Sequence, residues 1–169
     1  EEKEVVLRMG ASSGFKVWLN DHVVYEQEVN SHNDIDAHAV RLTLPKGTNR
    51  LLVKLSDVGG SPYLIARVTD NKGWPIDGVA EVTDVTTYNK SSIAQLNTQK
   101  AAHPIEAYFK AKLNGSTHNF LYRLALIKTY LRNAKYTLAK PLIDDLLETY
   151  PKSSMLRNLM MTCYRLEGD

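Results

Sequence analysis

The sequence predicts an α+β chain in two parts, an antiparallel β-sandwich followed by a set of α-helical hairpins. In the first part, apolar and polar residues alternate over short runs that end at turn residues. After Pro104 the apolar residues recur at helical spacing instead. The segment between the two parts is rich in Ser, Thr, Asn and Gln, as a linker would be.

These changes of period give the expected domain boundaries. We assign residues 1–85 to the β-sandwich, residues 86–103 to a linker and residues 104–169 to the helices. A chain of 169 residues is long enough for two small domains, each with its own core.

Six strands are predicted in the first part, and a further short strand is expected at residues 79–85. Asn20 and Asp21 are expected to form a two-residue hairpin turn, because both residue types tolerate the positive φ that such turns require. The six strands are residues 5–9, 15–19, 22–26, 40–44, 50–55 and 63–68.

The turn also predicts which side chains share a face, because cross-strand partners lie on the same side of a sheet. Trp18 and Tyr25 are therefore expected on the outer face, opposite Val17 and Leu19. The predicted pairs are Leu19 with His22, Trp18 with Val23, Val17 with Val24, and Lys16 with Tyr25.

The two outer aromatic residues leave two interpretations open. They stack on a sugar ring, with Lys16 and Asn20 as nearby polar groups, or they are a docking surface that residues 71–100 or the helices cover. The candidate residues for either role are Trp18, Tyr25, Lys16 and Asn20.

The acidic segment from Asn33 to Asp36 is interpreted as a solvated turn.

Four helices are predicted in the second part. Pro104 suits the first turn of the first helix, because proline has no N–H to donate there. Pro151 ends the third helix and Gly168 the fourth. The predicted helices are residues 104–113, 118–132, 137–150 and 153–166.

Two pairs of residues in this part are separated by 34 positions, Tyr130 with Tyr164 and Leu126 with Met160. With these residues the helical part resembles the tetratricopeptide repeat (TPR), although Arg123 stands where a large aromatic residue is usual. Further matching positions are Tyr136, Ala139, Ile143, Leu146, Pro151, Gly168 and Asp169. The second repeat is expected to be truncated.

The resemblance implies that Tyr130, Ala139, Ile143 and Tyr164 are buried between helices. It also implies that the first helix of each repeat lines a concave surface that binds a protein or peptide. The alternative is that the helix at residues 104–113 fills this groove. The residues expected to face a partner are Leu121, Leu124, Lys128, Leu131, Met155, Asn158, Thr162 and Arg165.

The strand part resembles the galactose-binding-like β-sandwich modules of bacterial multidomain proteins. The resemblance rests on the sequence GFKVWLN at residues 14–20, on Val24 and Tyr25, and on KGTNRLLVK at residues 46–54. It implies a jelly-roll-like sandwich with strands before Val5, so the sandwich is expected to be incomplete. Asp21 departs from the usual turn glycine.

Charge and motifs limit the function that we expect. Residues 1–89 carry a net charge of −4 and residues 90–169 a net charge of +6, with no arginine-rich helix that would indicate nucleic acid. No apolar run is long enough for a membrane span. The five histidines show no zinc spacing, and Cys163 is expected to be buried, so neither a metal nor a cofactor is expected.

We therefore expect a non-catalytic binding or scaffold fragment, in which the helices bind a protein or peptide segment or a downstream domain of the same polypeptide. One alternative is a carbohydrate-binding module that the helices support by packing. Another is the non-catalytic part of a larger enzyme. The combined resemblance is to N-terminal regions of large exported bacterial proteins, some with a transglutaminase-like domain.

Overall fold

The computed structural model describes residues 1–28, 34–56, 59, 61–84, 87, 97–114 and 119–168. Over these residues the chain forms seven strands in antiparallel sheets and four α-helices, so the predicted α+β class is confirmed. The chain divides into two compact units, Glu1–Ala102 and His103–Asp169.

All six predicted strands of the first unit are present, with ends that differ by two residues at most. A seventh strand of two residues lies within the segment that we expected to be a linker. The strands are β1 (Lys3–Ala11), β2 (Phe15–Leu19), β3 (His22–Gln27), β4 (His38–Leu44), β5 (Leu51–Leu55), β6 (Leu64–Thr69) and β7 (Gln99–Lys100).

The strands form two sheets. The first sheet has the order β6-β1-β4-β7 and the second has the order β3-β2-β5. Strand β7 pairs with β4, where Lys100 lies opposite Val40 and Gln99 opposite Arg41. The expected linker at residues 86–103 therefore contributes a strand at its end.

The two sheets share one hydrophobic cluster, because each strand turns its alternate apolar residues toward it. Strand β1 lies between β4 and β6 and supplies the largest share of the cluster. The buried members are Val5, Leu7, Met9, Ala11, Val40 and Leu42 from the first sheet, with Phe15, Val17, Leu19 and Val24 from the second.

The short strand predicted at residues 79–85 is wrong for its described part, because residues 79–84 are irregular. Residue 85 and most of the expected linker, residues 86 and 88–96, lie outside the described residues. The expected start of the second helix at His118 also lies outside them.

The second unit contains four helices that pack in chain order, α1 on α2, α2 on α3 and α3 on α4. Pro104 is the first residue of α1, as predicted, and Gly168 follows α4 with a positive φ of 89°. The helices are α1 (Pro104–Asn114), α2 (Phe120–Arg132), α3 (Tyr136–Thr149) and α4 (Ser154–Glu167).

One hydrophobic cluster joins α2, α3 and α4. The prediction of burial is confirmed for Tyr130, Ala139 and Ile143, and also for Cys163, but it is wrong for Tyr164, which is 46% exposed. The buried members are Leu126, Ile127, Tyr130, Ala139, Ile143, Leu146, Leu156 and Cys163.

We predict that Ala139→Leu destabilises the helical unit by about 1–3 kcal/mol, because Ala139 is fully buried and the added atoms would overpack the helix contacts. Urea denaturation followed by circular dichroism measures the change. The control is Leu138→Ala at the neighbouring exposed position, which should change the free energy of unfolding by less than about 0.5 kcal/mol. Equal stability of Ala139→Leu and wild type would show that Ala139 is not enclosed.

Candidate functional site

The face predicted to bind a partner is accessible in the structure. Three of its eight residues, Leu124, Leu131 and Thr162, are half-buried, and the other five are exposed. Leu121 is the most accessible, with 71% of its surface exposed. Helix α1 therefore does not bury all three leucines of α2, although Leu131 packs against the helical core.

Side-chain caps define where the two helices of this face begin. The Asn119 side chain accepts a hydrogen bond from the Tyr122 N–H at the start of α2. The Ser153 hydroxyl accepts one from the Leu156 N–H at the start of α4. Each cap satisfies a backbone N–H that has no acceptor within its helix.

Tyr130 and Tyr164 are 34 residues apart but lie in different surroundings. Helix α2 packs against α1 and α3, and Tyr130 is 4% exposed. Helix α4 packs against α3, and it is the last helix of the described chain. Tyr164 is therefore covered on one side, where the Lys140 ammonium lies 4.2 Å from the centre of its ring.

Ion pairs connect the helices of this unit. Lys135, just before α3, pairs with the buried Glu106 of α1. Lys140 of α3 pairs with Glu167 at the end of α4. Arg123 of α2 pairs with Asp145 of α3 at 3.6 Å. None of these pairs uses a residue of the predicted partner face.

The β2–β3 hairpin has the predicted turn. Asn20 and Asp21 both have positive φ, 45° and 73°, as a primed turn requires. The pairs of Leu19 with His22 and of Trp18 with Val23 are confirmed.

A bulge follows and changes the remaining pairs. Val17 lies opposite Tyr25, so Val24 is an extra residue in β3. The prediction that Trp18 and Tyr25 share the outer face is therefore wrong, because Tyr25 lies on the side of Val17.

Tyr25 packs on the core side of the second sheet and connects it to the first sheet. Its ring stacks on Phe15 at a centroid distance of 5.6 Å, and its hydroxyl hydrogen-bonds His38 Nδ1 at 2.7 Å. Burial raises the pKa of Tyr25 above its ordinary value. Tyr25 is therefore a structural residue and not part of an outer aromatic pair.

The two polar candidates of the hairpin also have structural partners. Asn20 is 1% exposed, and its side-chain oxygen accepts a hydrogen bond from the Arg50 N–H at 2.8 Å. Lys16 forms a salt bridge of 2.8 Å with Glu26, and its ammonium lies 5.7 Å from the centre of the Trp18 ring. The four candidates therefore do not converge on one cleft.

The outer face of the second sheet carries an apolar row, in which Trp18 and Val23 were predicted and Leu52 was not. Trp18 lies opposite Val23 on β3 and opposite Leu52 on β5. Trp18 is half-buried, and Val23 and Leu52 are each 47% exposed. Strand alternation places Leu52 on the face opposite Leu51 and Val53, and this signal was available in the sequence. Coverage of this face by residues 71–100 or by the helices stays a prediction.

The acidic segment is not a solvated turn at Asp36. This residue is 6% exposed and has a positive φ of 61°. Arg67 on β6 binds both of its carboxylate oxygens, with a distance of 2.9 Å from Nε to Oδ1. This two-point contact of the Arg67 guanidinium holds the acidic segment against the first sheet. Asn33 lies outside the described residues.

Neither a metal-ligand cluster nor a membrane helix occurs among the residues that the structure describes. No group of three or more His, Cys, Asp or Glu side chains within them is placed to hold a metal ion. None of the helices described is long and apolar enough to cross a membrane.

Comparison with protein-family models, with curated proteins and with solved structures found no match.

We predict that Tyr25→Phe lowers the free energy of unfolding by about 0.5–1.5 kcal/mol at neutral pH, because it removes the hydrogen bond to His38. The effect depends on pH. The unfolded chain loses the phenol proton near pH 10, whereas the raised pKa keeps Tyr25 protonated in the folded protein at that pH. The advantage of wild type is therefore full below about pH 10 and declines above it.

Urea denaturation between neutral pH and about pH 11 measures this difference. The control is Tyr108→Phe, which changes an exposed tyrosine of the helical unit. Equal stability of Tyr25→Phe and wild type across the range would contradict the bond between the sheets.

We also predict that Leu121→Ser changes the free energy of unfolding by less than about 0.5 kcal/mol, because Leu121 is mostly exposed. Leu126→Ala on the same helix should cost about 2–5 kcal/mol, because Leu126 is 2% exposed. Urea denaturation compares the two variants. Similar losses in both would mean that the Leu121 face is covered.

Proposed function

We propose that this chain is a non-catalytic binding fragment, in which α2 and α4 present a surface to a segment of a partner protein. The observation that carries the proposal is the accessibility of the predicted face, since none of its eight residues is buried. Exposed Leu121 and Met155 are large apolar side chains whose burial by a partner would be favourable.

The proposal includes the TPR type for the helical unit. The packing of each helix on the next in chain order is consistent with a repeat architecture, in which every unit contacts its neighbours. The burial of Tyr130, Ala139 and Ile143 also supports this type. The exposure of Tyr164 does not support it, although its helix lacks a second neighbour among the described residues.

The proposal also includes a galactose-binding-like β-sandwich for the strand unit, with an accessory role. The shared hydrophobic cluster of the two sheets supports a sandwich. The hairpin and β5, which carry the sequence resemblance, lie side by side in the second sheet.

The charge of the helical half indicates what kind of segment would bind. Residues 90–169 carry a net charge of +6, and Lys128 and Arg165 of the predicted face are exposed. Cations at the border of an apolar strip favour a partner that combines apolar side chains with acidic ones. We therefore propose a peptide segment with apolar anchors and flanking Asp or Glu residues.

Selection of a displayed random-peptide library on the whole chain tests the proposal, followed by affinity measurements with the enriched peptides. We expect acidic, apolar peptides whose affinity falls by about 10-fold or more with Leu121→Glu and with Lys128→Glu. The matched control is Leu138→Glu, which adds the same charge at a residue of α3 that is 47% exposed.

Circular dichroism of each variant shows whether it remains folded. The proposal fails if no peptide is enriched over an unrelated protein. It also fails if Leu138→Glu weakens binding as much as Leu121→Glu does.

A further inference from the structure

A buried arginine lies in the central strand of the first sheet. Arg8 interrupts an apolar run in β1, between Leu7 and Met9, and only 6% of its surface is exposed. A guanidinium is charged at every physiological pH, and its removal from water is costly unless acceptors and a counter-charge compensate.

The protein compensates the burial of the Arg8 guanidinium only in part. Nε donates a hydrogen bond of 2.9 Å to the Thr69 hydroxyl on β6. Within the described parts of the chain, the two terminal nitrogens have no acceptor and no carboxylate lies within 4.0 Å of them.

The neighbouring strand β6 brings a second positive charge close to Arg8 and contributes no carboxylate that could pair with it. Arg67 on β6 lies directly opposite Arg8, and like charges at that position disfavour pairing. The carboxylate of Asp36 is engaged by Arg67 through both of its oxygens. Two arginines therefore lie opposite each other on adjacent strands, and among the described residues the carboxylate of Asp36 is ion-paired to Arg67.

A tight loop lies over Arg8. Gly73 has a φ of 93°, and a Cβ added to it would lie 3.9 Å from Arg8 Nη2. The Asp70 carboxylate accepts hydrogen bonds of 2.8 Å from the N–H groups of Trp74 and Lys72. The bond from Trp74 is the main reason why the pKa of Asp70 lies below its ordinary value, and the bonds from Lys72 and Gly73 add to it. Asp70 is thereby occupied within the loop.

The next residue of this loop is the most exposed tryptophan of the described chain. Trp74 is 68% exposed. Its backbone is fixed at both ends, because its N–H donates to Asp70 and its carbonyl accepts from the Asp70 N–H at 2.9 Å. A large aromatic ring on a fixed backbone loses little entropy when it binds a flat ligand.

From these positions we propose that the outer face of the first sheet binds an oxyanion, with Arg8 as the cation that receives it and Trp74 as the stacking surface. The ligand is a carboxylate or phosphate carried by a flat apolar ring. The anion supplies the acceptors and the negative charge that the terminal nitrogens of Arg8 lack, in the planar two-point geometry that guanidinium groups favour. The ring of the ligand covers the exposed indole.

The test uses the whole chain and three probes of similar shape, which are benzoate, phenyl phosphate and the uncharged benzamide. Titrations followed by NMR give the affinities, and the Nε–H resonance of Arg8 reports directly on contact. We expect wild type to bind benzoate or phenyl phosphate with dissociation constants on the order of millimolar or tighter, and not benzamide. The tighter of the two anions identifies the oxyanion group.

Three variants separate this role from others. Arg8→Met should weaken anion binding by about 30-fold or more, and Trp74→Ala by about 10-fold. The matched control is Arg50→Met, the same change at an exposed arginine just before β5, which should leave binding unchanged. Without ligand, Arg8→Met should be at least as stable as wild type, because it removes a buried charge that is not neutralised.

Several results would overturn the proposal. They are no shift of the Arg8 resonance with either anion, equal binding of benzamide, or full binding retained in Arg8→Met. If Arg8→Met does not fold, the wild-type Arg8 resonance and the surface variant Trp74→Ala decide the question. Unchanged affinity in Trp74→Ala would then reject the stacking role, and an unshifted Arg8 resonance would reject the site.

Discussion

The strand unit depends on β1, which is paired on both edges and covered on both faces. Its neighbours β4 and β6 satisfy its backbone, and residues 5–11 are all buried. One face supplies Val5, Leu7, Met9 and Ala11 to the cluster shared with the second sheet. The other face needs its own cover, and loops provide it. A Cβ on Gly10 would lie 2.5 Å from the Asp34 carbonyl oxygen, so only glycine permits the acidic segment to approach this closely.

The same double burial explains the polar contacts around β1. Arg8 points to the covered side, where Thr69, Arg67 and Asp36 form the polar network of this face. A strand exposed on one face would leave such an arginine in water at little cost. Here the fold encloses it under the Gly73 loop, and this enclosure creates the unmatched charge. In the helical unit each helix packs against its neighbours in chain order, and the outer faces of the helices remain available to a partner.

Much of the fold follows from periodicity, and the errors have specific physical causes. Alternation and turn residues were sufficient for the six strands, and Pro104 and Gly168 were sufficient for two helix ends. The bulge at Val24 was not predictable, because an extra residue in β3 leaves the apolar pattern of the strand almost unchanged. Tyr164 was expected to be buried by analogy with Tyr130, but burial depends on the neighbouring helix and not on the residue type. Arg8 could be recognised in the sequence as a charged residue within an apolar strand. Its hydrogen-bonding partner, however, lies about 60 positions away in the sequence and is set by tertiary strand pairing.

Hydrogen exchange with mass spectrometry on the whole chain tests most directly whether β1 is the strand on which this unit depends. We predict that peptides covering residues 4–11 exchange last among the strands, at a rate set by global unfolding. Peptides covering β5 (Leu51–Leu55), an edge strand in the described part of the second sheet with two exposed leucines, should exchange earlier by local opening. Exchange of residues 4–11 at the rate of β5, or faster, would contradict the central position of β1.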